Sequence, residues 1–225
     1  MKILSKALVL ILLICAIQTQ AQKFRNAQFT LFSYTYNIDE KITDQFTPVA
    51  SNITLKADND RAKINGMIVL SMWNLISKKM QDTFSTYVLP TNSFNDKIKY
   101  DVYGLPDISI QKAIKLSDTK YYFKLALTVN REEVDNKGVK IAKDVFVPSV
   151  TLKLDIYDKN GYVARVSADG KAVATRPITI SKDYINGLSF VNSKIPTQDI
   201  NDNFYSLLNK AATEVVLQLK YQKKN

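Results

Sequence analysis

The chain has 225 residues, with 31 Lys and Arg against 21 Asp and Glu, a net charge of +10, a single cysteine and no histidine. The missing histidine, with the one cysteine at position 15, excludes the usual Ser-His-Asp and Cys-His forms of catalysis, ordinary zinc and copper sites, covalently attached haem and a histidine pH switch. Six glycines, none of them clustered, exclude a Gly-rich phosphate loop.

Residues Met1 to Ala21 read as a cleavable signal peptide. Lys2 and Lys6 give a short basic start, and the apolar run from Ala7 to Ile17 is too short to span a bilayer. Small residues at Thr19 and Ala21 suit cleavage between Ala21 and Gln22. Lipid anchorage through Cys15 and an uncleaved membrane anchor are the rival readings. The first is disfavoured because bulky Ile14 stands where a small residue is needed. The expected location is the periplasm or the cell exterior, with no transmembrane helix after cleavage. Cleavage takes Cys15 with it, so no disulfide is available, which points to a bacterial exported protein.

The mature chain, 22–225, is expected to be one domain that buries a core without staples, with 22–59 as an N-terminal strand and irregular extension. It stays basic after losing Lys2 and Lys6 and is attracted to polyanionic surfaces. Its lysines are spread out, with only Lys220, Lys223 and Lys224 close together, so a solvated surface is the plainer reading. No motif supports nucleic-acid binding.

Phe24 to Tyr36 reads as a strand covered in part on both faces. Strict alternation puts Phe29 and Leu31 on one side and Phe32, Tyr34 and Tyr36 on the other. Residues 37–59 read as polar and irregular, with a short strand at Ile53 to Lys56. Ile64, Ile68, Met72, Leu75 and Met80 then recur at helical spacing behind Asp58, Asn59 and Asp60 as cap candidates, predicting a helix over 60–84. A strand at Ser85 to Leu89, a loop over 91–106 and a short helix at 107–116 follow.

Alternation is clearest in Tyr121 to Val129 and Val150 to Tyr157. Asp158-Lys159-Asn160-Gly161 reads as a tight hairpin turn into a strand at Tyr162 to Ser167, and Asp169-Gly170 as a further turn into Lys171 to Thr175. Residues 176–200 look irregular. Phe204, Leu207, Leu208, Ala211, Val215 and Leu219 form one stripe of a helix at about 202–220, capped by Asp202. The expected fold is α+β. An antiparallel sheet, with its meander at about 120–175, packs against the long helix at 60–84 and the C-terminal helix.

Few chemistries remain. Ser109 with Lys112 and Ser117 with Lys120 fit Ser-x-x-Lys, but the companion motifs are missing. Asp101 with Asp107, or Asp155 with Asp158, could serve as a carboxylate pair for glycan hydrolysis, although each has a plainer job near a turn, strand or helix start. Asp199-Ile200-Asn201-Asp202-Asn203 places oxygen ligands at alternate positions. A calcium loop also needs Gly at position 6 and an acid at position 12, where Phe204 and Lys210 stand, so a helix cap explains it better. The aromatics Phe32, Tyr34, Tyr36, Tyr121, Tyr122 and Phe123 either line a cavity for an apolar ligand or glycan, or pack a core. Tyr34, Tyr36 and Tyr122 are the candidate ligand or partner surface. No catalytic residue, metal site or cofactor is expected.

From residue 60 onward the order is helix, short strand, short helix, the strand Tyr121-Tyr122-Phe123-Lys124-Leu125, the strand Val150-Thr151-Leu152-Lys153-Leu154-Asp155, the turn Asp158-Lys159-Asn160-Gly161, and a closing helix. This arrangement resembles the periplasmic α+β domains of the curli-secretion lipoprotein CsgG, the N-terminal domain of TolB and related envelope accessory lipoproteins. The resemblance is architectural and carries no functional motif. It implies a non-catalytic role in envelope assembly or transport through protein contacts. The expected function is therefore an exported binding protein for a protein or polyanionic component of the envelope. A carrier of an apolar or glycan ligand and a carboxylate-dependent glycan hydrolase are the alternatives.

Overall fold

The computed structural model describes residues 23–53, 55–133, 138–140, 147–160, 163–174 and 204–221. The signal peptide, the Asp199 to Asn203 loop, the Asp202 cap and Gly161 lie outside them. Five strands form one sheet: β1 (Gln28–Ile38), β2 (Tyr87–Val88), β3 (Tyr121–Arg131), β4 (Pro148–Asp158) and β5 (Val166–Val173), in the order β2-β1-β3-β4-β5. The helices are α1 (Glu40–Phe46), α2 (Asp60–Phe84), α3 (Ile110–Leu116) and α4 (Phe204–Tyr221).

The fold is α+β as expected, but the sheet is mixed. β3, β4 and β5 form an antiparallel meander, whereas β1 lies parallel to both β2 and β3. The reason is the length of the connections. The chain leaves β1, runs through α1 and α2 and returns in the same direction, as parallel neighbours require.

α2 begins at Asn59, whose side chain accepts from the Ala62 N–H at 2.9 Å, and ends at Ser85 in the left-handed conformation. Its apolar stripe is buried, and Trp73 stacks on Phe123 of β3 with centroids 5.9 Å apart. α4 packs against β4, β5 and α2, with every residue of its expected stripe buried. Beneath it β5 presents only Ala168, Gly170 and Ala172. The Asp169-Gly170 step is accordingly no turn. One strand runs through it, and a Cβ on Gly170 would stand 2.0 Å from the Ala211 carbonyl oxygen. The Asp158 turn is also longer than a tight hairpin, because β4 ends at Asp158 and β5 starts only at Val166.

Strict alternation along β1 fails at a β-bulge between Leu31 and Ser33. The extra residue, Phe32, turns to the second face, and the phase then resets. Tyr34 and Tyr36 thereby join Phe29 and Leu31 on the helical face, instead of opposing them. On the second face Phe32, Phe94, Ile98, Ile110, Ala113 and Tyr122 make a smaller cluster under α3 and the preceding loop. That loop also guards the β1 edge, where Pro106 and Ile108 hydrogen-bond with Tyr34 and Phe32. Ile53 to Lys56 contains no strand among its described residues, and the region read as irregular holds α1 instead.

Among the described residues no further strand pairs with the outer margin of β5, which is closed differently. The Asp169 N–H donates to Gln218 Oε1 and the Lys171 N–H to Glu214 Oε2, both at 2.9 Å. Two side chains of α4 thus take positions that a sixth strand would need.

Candidate functional site

Where β1 and β3 begin and β4 ends, four separate segments meet around an open cavity of about 760 Å³. Lys23 comes from the chain before β1, Asp118 and Lys120 from the turn before β3, Asp158 and Lys159 from the end of β4, and Arg165 from the approach to β5. Among the described residues the lining carries four cations and two carboxylates.

Buried hydrogen bonds set the walls. The Tyr122 hydroxyl, on a fully buried ring, donates to the Ser117 carbonyl at 2.6 Å and accepts from the Thr119 N–H. Thr30 on β1 donates to the Thr119 hydroxyl at 3.0 Å. These bonds hold residues 117–121 in a fixed turn, so Asp118 and Lys120 face the cavity. Tyr121 donates to the Lys23 carbonyl at 3.4 Å. Burial first, and then Asp158, push its hydroxyl above the ordinary tyrosine value, so it keeps its proton.

At the opposite wall Asp158 accepts from the Asn160 N–H at 3.1 Å and pairs with Arg165 at 3.0 Å. Lys159 reaches across to Asp118, also at 3.1 Å. Lys23 and Lys120 have no carboxylate partner among the described residues. Their ammonium groups stand 5.7 Å from the Phe24 ring centroid and 5.5 Å from that of Tyr121. A second open cavity of about 520 Å³ adjoins the first and shares Asp118, Lys159 and Asn160 with it.

The other sequence candidates do not assemble. Tyr34 and Tyr122 are buried on opposite faces, and Tyr34 donates to the Val69 carbonyl of α2 at 3.1 Å. Tyr36 is half-buried, with its ring 5.8 Å from that of Tyr103. The three therefore form no common surface. Asp155 and Asp158 are three residues apart on one strand and point to opposite faces. Asp155 accepts from Ser167 at 2.6 Å. Asp101 accepts from the Tyr103 and Leu105 N–H groups, and Asp107 from the Ser33 hydroxyl at 2.7 Å. Ser109 caps α3 by accepting from the Lys112 N–H, and Ser117 ends the same helix. The helix expected at 107–116 starts only at Ile110, with Ser109 as its cap; the cleft was not readable, since its charges lie far apart in the sequence.

Among the described residues no group of three acidic residues is placed to hold a metal ion, and no helix is long and apolar enough to cross a membrane. No protein-family model matches the chain, and no curated protein matches it. Among solved structures, it is similar to a hypothetical protein from Chlamydia trachomatis, at 9% identity and TM-score 0.46 over 87% of this chain and 96% of that one. It is similar to a lipoprotein from Neisseria meningitidis, at 10% identity and TM-score 0.41 over 72% and 91%. It is also similar to the PelC dodecamer from Paraburkholderia phytofirmans, at 9% identity and TM-score 0.38 over 88% and 91%. Likenesses at these scores carry nothing about function.

Proposed function

We propose that the protein is a non-catalytic binding protein of the bacterial envelope that recognises an anionic component at the cleft. One observation carries this reading: four cations and two carboxylates, drawn from four segments, face one open cavity and leave a surplus of two positive charges. The carboxylates that could have run acid–base chemistry have other work. Asp101 and Asp107 hold the loop beside β1, and Asp155 and Asp158 face apart. The aromatics proposed for a carrier site are divided between the two faces and used in packing. In this reading the leader exports the chain, cleavage falls between Ala21 and Gln22, and contact with the envelope component is made outside the cytoplasm. The resemblance to CsgG- and TolB-type accessory domains points the same way.

Co-sedimentation of the mature chain with isolated envelope fragments tests it. Retention is expected at low salt and is expected to fall both at high salt and in a Lys120→Glu/Lys159→Glu double variant. Equal retention of wild type and double variant would remove the cleft from the binding surface.

A further inference from the structure

The cleft does not stop at the Lys159–Asp118 pair. Asp118, Lys159 and Asn160 line both cavities, so the two adjoin at that pair. Beyond it the lining is mixed. Half-buried Ile114 and Leu116, at the C-terminal end of α3, stand beside the buried Tyr122 ring with exposed Lys115 between them and Ser117 next in the chain.

We infer that the ligand is an anionic amphiphile, whose phosphate-class dianion sits among Lys23, Lys120, Lys159 and Arg165 and whose apolar portion lies along Ile114 and Leu116. The inference rests on the binding reading above and deepens it. Charge sets the head group. Among the described residues the first cavity has two more cations than carboxylates and Lys115 adds a further cation at the second, so a phosphomonoester dianion is drawn more strongly than a single carboxylate. Geometry sets the rest, because Ile114 and Leu116 adjoin the cations at the Lys159–Asp118 pair, with Lys115 beside them. That pair is 54% and 90% exposed, so its own contribution is small, and a dianion draws Lys159 away at little cost. Lys120 lies on the turn fixed by Tyr122, Lys159 directly follows the end of β4, and Arg165 is held by Asp158, so these parts of the site are preformed.

Calorimetry on the mature chain tests this with inorganic phosphate, water-soluble dihexanoyl phosphatidic acid and dihexanoyl phosphatidylcholine as probes. Phosphatidic acid is expected to bind at least about tenfold more tightly than phosphate, through burial of its chains, and phosphatidylcholine to bind far more weakly than either. Lys120→Glu with Lys159→Glu is expected to weaken phosphatidic acid by about tenfold or more. Ile114→Ser with Leu116→Ser is expected to erase its advantage over phosphate. Circular dichroism confirms that each variant is folded.

Sedimentation with phosphatidylcholine vesicles containing phosphatidic acid separates the two sources of such a ligand. Binding to the vesicles supports a lipid held in a membrane, and binding of the short-chain form alone supports a free amphiphile. Equal affinity for phosphate and phosphatidic acid overturns the amphiphile. No binding of either phosphate probe overturns the ligand class. In that event envelope retention that still depends on Lys120 and Lys159 keeps the broader reading, and retention indifferent to them ends both.

Discussion

On one face of the sheet, α2 and α4 cover inward-facing rows from β1, β3 and β4 with two long helices. On the other, one helix of seven residues and an irregular segment cover two buried sheet residues, Phe32 and Tyr122, near one end, and add four buried side chains of their own. The helical face merges residues from almost every element into one core, so its free energy is shared and its loss is global. The second face is local. Its cluster is joined to the rest through Phe32, which a bulge supplies, and Tyr122, whose hydroxyl fixes the turn at the cleft. Stability and recognition are thus placed on different sides of the same strands. Tyr122 does for the site what Phe123, its neighbour, does for the fold.

Two truncations of equal size put this division at risk. Phe123→Ala is expected to cost about 3–5 kcal/mol, because Trp73 stacked on its ring and Phe29 edge-on to it are left around a void that closes poorly. Phe94→Ala is expected to cost no more than about 2 kcal/mol, because a loop closes over its space more readily. Urea denaturation measures both, and hydrogen exchange locates the effect. Faster exchange confined to 91–122 is expected for Phe94→Ala; a global rise would show that the two faces form one cooperative unit.

Gly170→Ala addresses the seat of α4. The added methyl meets the Ala211 carbonyl, so helix and strand must separate, at about 1–3 kcal/mol. An unchanged urea midpoint would mean that α4 shifts freely. Gln218→Ala leaves the Asp169 N–H to water and is expected to cost about 1 kcal/mol, with self-association growing at high concentration as its second readout.

The smallest effect sets a pH limit. The Tyr36 hydroxyl is pushed up to about 12 by burial first, then by Asp101, Tyr103 and its hydrogen bond with Asp101. The unfolded chain releases that proton near the ordinary value of 10.0, while the folded chain keeps it. Its contribution is therefore whole below about pH 10 and is lost as pH rises towards about 12. Thermal melts of wild type and Tyr36→Phe at a series of alkaline pH values check the sign. The melting temperature of the wild type should fall more than that of the variant over that range, and parallel curves would refute the assignment.

What could be read from the chain in advance was whatever local periodicity encodes. α2 and α4 follow from their apolar stripes, and β3 and β4 from alternation, because burial of one face repeats at the period of the element. What could not be read depends on partners. Parallel pairing of β1 with β3 leaves no mark on either strand alone. The bulge at Phe32 shifts the faces of Tyr34 and Tyr36 without changing the letters. Asp169-Gly170 carries the composition of a turn, yet the glycine answers to a helix some forty positions away. α1 was missed because few of its seven residues face inward. The cleft gathers Lys23, Lys120, Lys159 and Arg165 only after the sheet has formed.

The row Ala168, Gly170, Ala172 lets α4 approach closely enough for Glu214 and Gln218 to reach the outer backbone donors of β5. A neighbouring copy that tried to continue the sheet there would have to displace a docked helix, and at the opposite margin β2 offers only two residues. Strand addition at this margin is therefore opposed by one uncharged and one singly charged side chain acting as surrogate backbone. Dispersal of the protein in concentrated solution then depends on the seating of its C-terminal helix as much as on its net charge.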